Sequence, residues 1–148
     1  MEIVYYEPKH LKDCQNLFTS IYNAENFNCN FTQEKATAYL EELVNTPRFI
    51  GFLFFNKEKL LGLAFCHEKT WAWRDEICIN ELLIHPDYQR SGLGSRLLSF
   101  IEKFAKNREL AGITLVTNTL PLANFYIQNG FMEHDISFLY RGLDAKDS

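Results

Sequence analysis

The chain has 148 residues, of which 47% are apolar and 15% aromatic, so it can fold around a hydrophobic core and is not a disordered segment. Its formal net charge of −4 argues against a general nucleic-acid-binding protein, which needs a basic face. No segment approaches the roughly 20 consecutive apolar residues that cross a bilayer, and MEIVYYEPKH lacks the features of a signal peptide.

The cysteines and histidines predict neither disulfides nor a metal site. The chain has four of each, and they form neither C-x-x-C pairs nor the spacing of zinc ligands. We therefore predict free thiols in a reducing cytoplasm and no bound metal. We also find no linker or repeat, and we predict a single domain over residues 1–148.

The first third of the chain predicts one strand and two helices. The strand covers residues 2–7, and Pro8 opens a helix with one apolar face. The Asn-rich segment 23–30 is typical of a loop, and Thr32 is placed to cap a second helix that ends before Pro47.

The rest of the chain predicts a meander of strands followed by a β-α-β unit and a final helix and strand. The predicted strands are 48–56, 60–68, 76–84, 112–117 and 131–141, the last of which is one strand or a bent pair. The predicted helices are about 93–107 and 121–129. The order β-α-α-β-β-β-α-β-α-β predicts a mixed α+β fold. Its twisted, mostly antiparallel sheet has six or seven strands, with about four helices on its two faces.

Two closely spaced glycines mark the turn between the third meander strand and the long helix, in IHPDYQRSGLGSRLL. No lysine follows Gly92 or Gly94 as a P-loop requires, and Leu97 stands where a dinucleotide fingerprint needs a third glycine. The glycines instead favour a cradle of backbone N–H groups for a phosphate at the helix N-terminus, with Arg90 and Arg96 at its rim. The alternative is an ordinary strand-to-helix turn.

Two motifs carry a resemblance to a known family. Gln89-x-x-Gly92-x-Gly94 after Ile-His-Pro resembles the acetyl-CoA-binding motif of the GCN5-related N-acetyltransferase (GNAT) superfamily. The segment 124–131, NFYIQNGF, resembles the family's Phe-Tyr-x-x-x-Gly-Phe segment, and the element order is similar over nearly the whole chain. The stretch INELLIHPDYQRSGLG further resembles a bacterial subgroup of aminoglycoside-like acetyltransferases. The resemblance implies the GNAT fold.

The resemblance also implies where acetyl-CoA binds. The exposed backbone of the strand before the turn would pair with the pantetheine arm, the turn would surround the diphosphate, and two asparagines would contact the cofactor further along. Tyr126 would lie near the thioester sulfur and act as the general acid; the alternative is that its ring only packs. The residues assigned to the cofactor are Leu83, Ile84, Gln89, Arg90, Ser91, Gly92, Leu93, Gly94, Ser95, Asn118 and Asn124.

Glu81 is the first candidate for the general base. Strand alternation places it on the same face as the apolar Ile77, Ile79 and Leu83, where desolvation raises the pKa of a carboxyl group. Three alternatives stay open: Glu81 binds the positive charge of the substrate, it pairs with an arginine, or the proton leaves through a chain of waters.

The amine acceptor is expected to contact the loop 23–30 and the segment 68–76. Trp71 and Trp73 are candidates to enclose an amine, together with the negative charges of Glu68, Asp75 and Glu76. The tryptophans could equally cover a sheet edge or form a dimer contact.

Together these features predict an acetyl-CoA-dependent N-acetyltransferase. It would transfer the acetyl group directly to a primary amine of a small molecule or peptide, in a ternary complex. The alternative is a non-catalytic acyl-CoA-binding regulatory or partner-binding module on the same fold. The expected partners are acetyl-CoA and the amine, with no nucleic acid or membrane, and the resemblance allows a homodimer.

Overall fold

The computed structural model describes residues 1–24, 27–117 and 120–144. The chain divides into two compact units, Met1–Val116 and Thr117–Ser148. All the strands and the first three α-helices lie in the first unit, and the fourth α-helix lies in the second. The single domain expected over residues 1–148 stays a prediction.

The helices and strands follow the predicted chain order closely. Short 3₁₀ turns at Pro8–His10 and Pro86–Tyr88 precede longer elements. The strands and helices are β1 (Glu2–Tyr5), α1 (Leu11–Tyr22), α2 (Gln33–Val44), β2 (Phe49–Asn56), β3 (Lys59–Lys69), β4 (Glu76–Ile84), α3 (Leu93–Asn107), β5 (Ile113–Leu115) and α4 (Leu120–Gln128).

The five strands form one mixed sheet in the order β1-β2-β3-β4-β5. Strands β1 to β4 pair with one another in antiparallel orientation. Strand β5 is parallel to β4 because α3 crosses over between them. The mixed, mostly antiparallel sheet is therefore confirmed.

Helices cover both faces of the sheet, as alternation along β2 requires. Phe52 faces α3, where its ring lies 5.7 Å from that of Phe100 and 5.3 Å from that of Phe104. The next residue, Leu53, points the other way and joins the core cluster that contains Phe18 of α1 and Leu40 of α2.

Local capping agrees with the sequence at the start of α2. Thr32 is the N-cap, and its hydroxyl oxygen accepts a 3.1 Å hydrogen bond from the backbone N–H of Lys35. This bond satisfies one of the helix N–H groups that lack an intrahelical partner.

The predicted final strand is wrong. Residues 131–141 contain no strand, so the described residues form a sheet of five strands and not six or seven. A strand needs a hydrogen-bonded neighbour, and alternating apolar residues alone do not supply one. The apolar side chains of this segment are instead exposed, among them Ile136, Phe138, Leu139 and Tyr140.

All four cysteines are free thiols, as the sequence predicts. Cys14 and Cys66 are buried, and burial raises the pKa of the Cys14 thiol to about 12. Among the described residues, no helix has the length and apolar composition needed to cross a bilayer.

The end of α4 is a Schellman motif, which gives a physical reason for the spacing of Tyr126, Gly130 and Phe131. The N–H of Phe131 donates to the carbonyl of Tyr126 at 3.1 Å, and the N–H of Gly130 donates to that of Ile127 at 3.1 Å. Gly130 has a φ of +94°, and the rings of Tyr126 and Phe131 pack edge to face at 5.6 Å. These are the bonds, the left-handed residue and the apolar contact of that motif.

Substituting Gly130 with alanine is expected to destabilise the end of α4 by about 1–2 kcal/mol, because a Cβ is strained at a positive φ. Asparagine, which tolerates this conformation, should retain most of the stability. Amide hydrogen exchange of α4 measures the effect. Equal protection in the alanine and asparagine variants would contradict this explanation of the motif.

Candidate functional site

One side of β4 loses its partner halfway along the strand. The parallel ladder with β5 runs only from Ile77 opposite Ile113 to Ile79 opposite Leu115. β4 continues to Ile84, and no described strand pairs with this side of its second half. We call the unpaired side of residues 80–84 the open edge.

A β-bulge lies at the point where the ladder ends. Phe65 of β3 lies opposite Glu81, whereas the next residue, Cys66, lies opposite Ile79, so Asn80 is an extra residue in β4. A bulge bends its strand and increases the local twist. The bulge therefore explains why β5 stops pairing with β4 at this point.

Backbone groups of Leu82 and Ile84 face the open edge. The N–H of His85 donates to a β3 carbonyl at 2.7 Å, and a Cβ built on Gly62 of β3 would lie 3.1 Å from the carbonyl oxygen of Leu83. Backbone direction alternates along a strand, so Leu83 faces β3 while its two neighbours face away. Leu83 and Ile84 were predicted to contact the cofactor and Leu82 was not, because the bulge that sets this alternation cannot be recognised from the sequence.

The turn after β4 ends in an uncapped helix N-terminus. Arg90 and Gly92 both adopt left-handed conformations, with φ of +62° and +86°, and Gly92 is the N-cap of α3. No side chain caps this helix, and its first turn contains no acidic residue. The backbone N–H groups of Leu93, Gly94 and Ser95 thus lack intrahelical partners, and a Cβ on Gly92 would meet no heavy atom within 4 Å. This geometry suits a bound anion.

Hydrogen bonds from two side chains of the turn stabilise its conformation. The Gln89 side-chain amide donates to the carbonyl of Ile84 at 3.1 Å, and the Ser91 hydroxyl donates to the carbonyl of Tyr88. Arg90 is exposed. The guanidinium of Arg96 lies 4.8 Å from the centroid of the Phe54 ring, so this cation packs against the β2 side of α3.

Glu81 is buried, as predicted, and two tyrosine hydroxyls bind its carboxylate. The predicted apolar row is wrong in part: the bulge at Asn80 leaves Glu81 and Leu83 on the face covered by α1 and α2, whereas Ile77 and Ile79 lie on the opposite face. Tyr22 donates to Oε2 at 2.8 Å and Tyr39 donates to Oε1 at 2.5 Å. The side chain is 9% exposed, and desolvation raises its pKa, while the two hydrogen bonds act in the opposite direction. Burial and the adjacent carboxylate raise the pKa of both tyrosines, which are therefore protonated donors at neutral pH.

Sequence reasoning missed Tyr22 and Tyr39 as partners of Glu81. The alternative of an arginine partner is wrong, because both carboxylate oxygens accept from tyrosines. Aromatic side chains pack around the two tyrosines, and the ring contacts join Tyr22 or Tyr39 to Phe18, Phe27 and Phe31.

The loop between α1 and α2 is closed by one asparagine. The Asn23 side-chain oxygen accepts from the N–H of Phe31 at 2.7 Å, and its side-chain nitrogen donates to the Phe31 carbonyl at 2.9 Å. Asn28 and Asn30 have φ of +47° and +57°, a conformation that asparagine tolerates well. These contacts hold the described part of the predicted acceptor loop beside the Tyr22 end of α1.

Trp71 and Trp73 lie in the connection between β3 and β4, and their side chains are 59% and 84% exposed. This connection joins the opposite end of β4 from the glycine turn. Five residues of strand, about 16 Å, separate Glu76 at that end from Glu81. Among the residues that the structure describes, no hydrogen bond or ring contact joins either tryptophan to Glu81, and their role in substrate binding stays a prediction.

Two of the three carboxylates expected beside the tryptophans, Glu68 and Asp75, are engaged in ion pairs. Arg48 contacts Asp75 at 2.7 Å and Glu68 at 3.3 Å, and Arg108 contacts Glu68 at 2.9 Å. The negative charges of Glu68 and Asp75 are therefore largely neutralised by arginines of the protein.

In the second unit, Asn124 and Tyr126 both lie on α4. Asn124 is exposed, whereas Tyr126 is half-buried against Phe125 and Phe131. Asn118 lies outside the described residues.

Comparisons with known proteins agree with this geometry. Residues 11–131 match the Acetyltransferase (GNAT) family. The chain is 30% identical over 79 residues to streptothricin acetyltransferase of Escherichia coli, a match that covers 52% of this chain and 44% of that protein. It is 29% identical over 96 residues to YqkA of Bacillus subtilis, covering 65% of this chain and 26% of that protein. The chain thus matches less than half the length of either relative.

A solved structure extends the similarity of fold along the chain. The aminoglycoside N-acetyltransferase AAC(6')-Iy, in complex with CoA, aligns with 97% of this chain and 95% of its own, with a TM-score of 0.73 and 13% sequence identity. The family match covers both motifs that the sequence analysis singled out. The chain belongs to the acetyltransferase (GNAT) family.

Proposed function

We propose that this chain transfers the acetyl group of acetyl-CoA directly to a primary amine of a small molecule or peptide. The observation that carries the proposal is that two features follow each other along the chain. The open edge of β4 leads into the turn that ends at the uncapped N-terminus of α3. An extended amide-bearing arm can add to a strand edge, and a diphosphate can accept from helix N–H groups. Coenzyme A contains both parts in one molecule.

The reaction needs a base, an acid and a hydrogen-bond donor to the carbonyl oxygen. The amine nitrogen attacks the thioester carbonyl carbon, a C–N bond forms and the C–S bond breaks. Glu81 takes the proton that the amine loses, directly or through a water, and Tyr126 gives a proton to the departing thiolate. A backbone N–H at the open edge, such as that of Ile84, stabilises the negative charge on the carbonyl oxygen.

The direct test is an amine panel incubated with acetyl-CoA, with release of free thiol as the readout. The panel should contain aminoglycosides, polyamines, small amino compounds and peptides with free N-termini. Amine-dependent thiol release and an acetylated product identified by mass spectrometry are expected. CoA binding without turnover of any amine would contradict the proposal and favour a binding module.

Gly92→Asn tests the proposed diphosphate site. Asparagine tolerates a positive φ, so the fold should keep most of its stability while the new side chain enters the empty space beside the turn. We expect CoA affinity measured by calorimetry to fall at least about tenfold, since the anion would lose contact with the helix N–H groups. The melting temperature of the free variant is the control, and unchanged affinity would place the diphosphate elsewhere.

A further inference from the structure

We propose that Tyr22 and Tyr39 are positioning residues that fix the orientation of the Glu81 carboxylate and its readiness to accept a proton. The proposal rests on the proposed function, in which Glu81 is the base. It concerns residues that lie in neither of the two sequence motifs.

Two different helices hold the two oxygens of one carboxylate. Tyr22 is the last residue of α1 and donates to Oε2, whereas Tyr39 lies in the middle of α2 and donates to Oε1. A carboxylate held at both oxygens cannot rotate without breaking a hydrogen bond. Each oxygen retains one further lone-pair site, so the group can still accept a proton.

No cation among the described residues balances the charge of Glu81. On the face of β4 that carries Glu81 the next residue is Leu83, and the partner directly across on β3 is Phe65, while the bulge at Asn80 turns Ile79 to the other face. The titratable groups that face Glu81 are Tyr22 from α1 and Tyr39 from α2, with Cys29 and Glu42 acting further out on those tyrosines. The tyrosine hydroxyls therefore provide the main stabilisation of the ionised form.

The two hydroxyls and burial act on Glu81 in opposite directions. Burial raises the pKa of the carboxyl group, and each hydrogen bond lowers it. Removing a hydroxyl leaves a carboxylate oxygen unpaired in an apolar site, so the carboxyl group holds its proton to higher pH.

The placement of the tyrosines also connects the base to the acceptor loop. Tyr22 precedes the loop and Tyr39 follows it, and the N–H of Cys29 in the loop donates to the carbonyl of Tyr22 at 2.9 Å. This bond ties the described part of the loop to the helix end that holds Oε2 of Glu81.

The experiment compares Tyr22→Phe, Tyr39→Phe and the double variant with wild type. Each substitution removes one hydroxyl and keeps the ring, so the aromatic packing persists. Tyr5→Phe is the matched control, because Tyr5 is exposed on β1 and has no contact with Glu81. The readouts are the pH profile of kcat/KM with an accepted amine and an NMR titration of the Glu81 carboxyl carbon in the free protein, assigned by comparison with Glu81→Gln.

The expected result is a shift of the acidic limb of the profile, and of the NMR titration, to higher pH in both single variants and further in the double variant. On the acidic limb we expect kcat/KM of the double variant to fall about tenfold, with a plateau at high pH within about twofold of wild type. Tyr5→Phe should match wild type in both measurements.

An unchanged carboxyl titration in the double variant would overturn the proposal, even if the variant were less stable. The titration needs no substrate, so it tests the role of the tyrosines whether or not an amine is turned over. A shifted titration with no acetylation of any amine by wild type would instead reject the proposed function and leave the tyrosine contacts established.

Discussion

Glu81→Gln is expected to lower kcat/KM by about 10²–10⁴-fold at pH values where the wild-type carboxylate is ionised, because glutamine cannot accept the proton of the amine. The loss should shrink at high pH, where the amine deprotonates without help. The acidic limb that follows the raised pKa of Glu81 in wild type should be replaced in the variant by a rise that follows deprotonation of the amine. Turnover equal to wild type over the whole pH range would show that the proton leaves by another route.

The same substitution should change how stability depends on pH. The pKa of Glu81 is raised in the folded state, so its contribution to stability is complete below the unfolded pKa and is lost as pH rises through the folded pKa. Glutamine does not titrate. Urea unfolding at several pH values should therefore show the variant gaining stability relative to wild type as pH rises, and a constant difference would contradict a raised pKa.

Tyr126→Phe is expected to lower kcat by about 10²-fold or more, because the departing thiolate loses its proton donor. The KM for acetyl-CoA should change little, since the ring and its contact with Phe131 remain. Tyr140→Phe is the matched control in the same unit, because Tyr140 is 72% exposed.

An acetyl thioester with a more acidic thiol separates this role from a packing defect. Such a leaving group needs less protonation, so the variant should recover much of its lost rate with that donor. A loss of equal size with both donors would argue against Tyr126 as the general acid.

Local sequence signals were enough for much of the site. Glu81 is buried within a strand whose apolar composition is a local property, and α3 begins after Gly92 because a left-handed residue can end a turn and start a helix. The segment from the end of β4 to α3 was therefore predictable without knowledge of the fold.

The partners of Glu81 were not predictable in this way. Tyr22 and Tyr39 lie 59 and 42 residues from it in sequence, and only the packing of α1 and α2 on the sheet brings them within hydrogen-bond distance. The bulge at Asn80 likewise depends on how β3 and β4 align, and it decides that Leu82 rather than Leu83 faces the open edge.

The predicted final strand shows where local sequence signals are not sufficient. Residues 131–141 were predicted to form a strand or a bent pair, but pairing depends on a neighbour that the segment itself cannot specify. The same reasoning succeeded for the five strands of the sheet, each of which pairs with its neighbour in sequence.

Unpaired strand edges promote association between protein molecules, because another chain can supply the missing hydrogen bonds. The open edge of this chain spans only residues 80–84, and the Gln89 side chain already occupies its last carbonyl, at Ile84. A stretch this short, bent at one end and closed at the other, offers a neighbouring molecule too few bonds to nucleate aggregation. The open edge of β4 is therefore a poor template for strand addition by a neighbouring protein molecule.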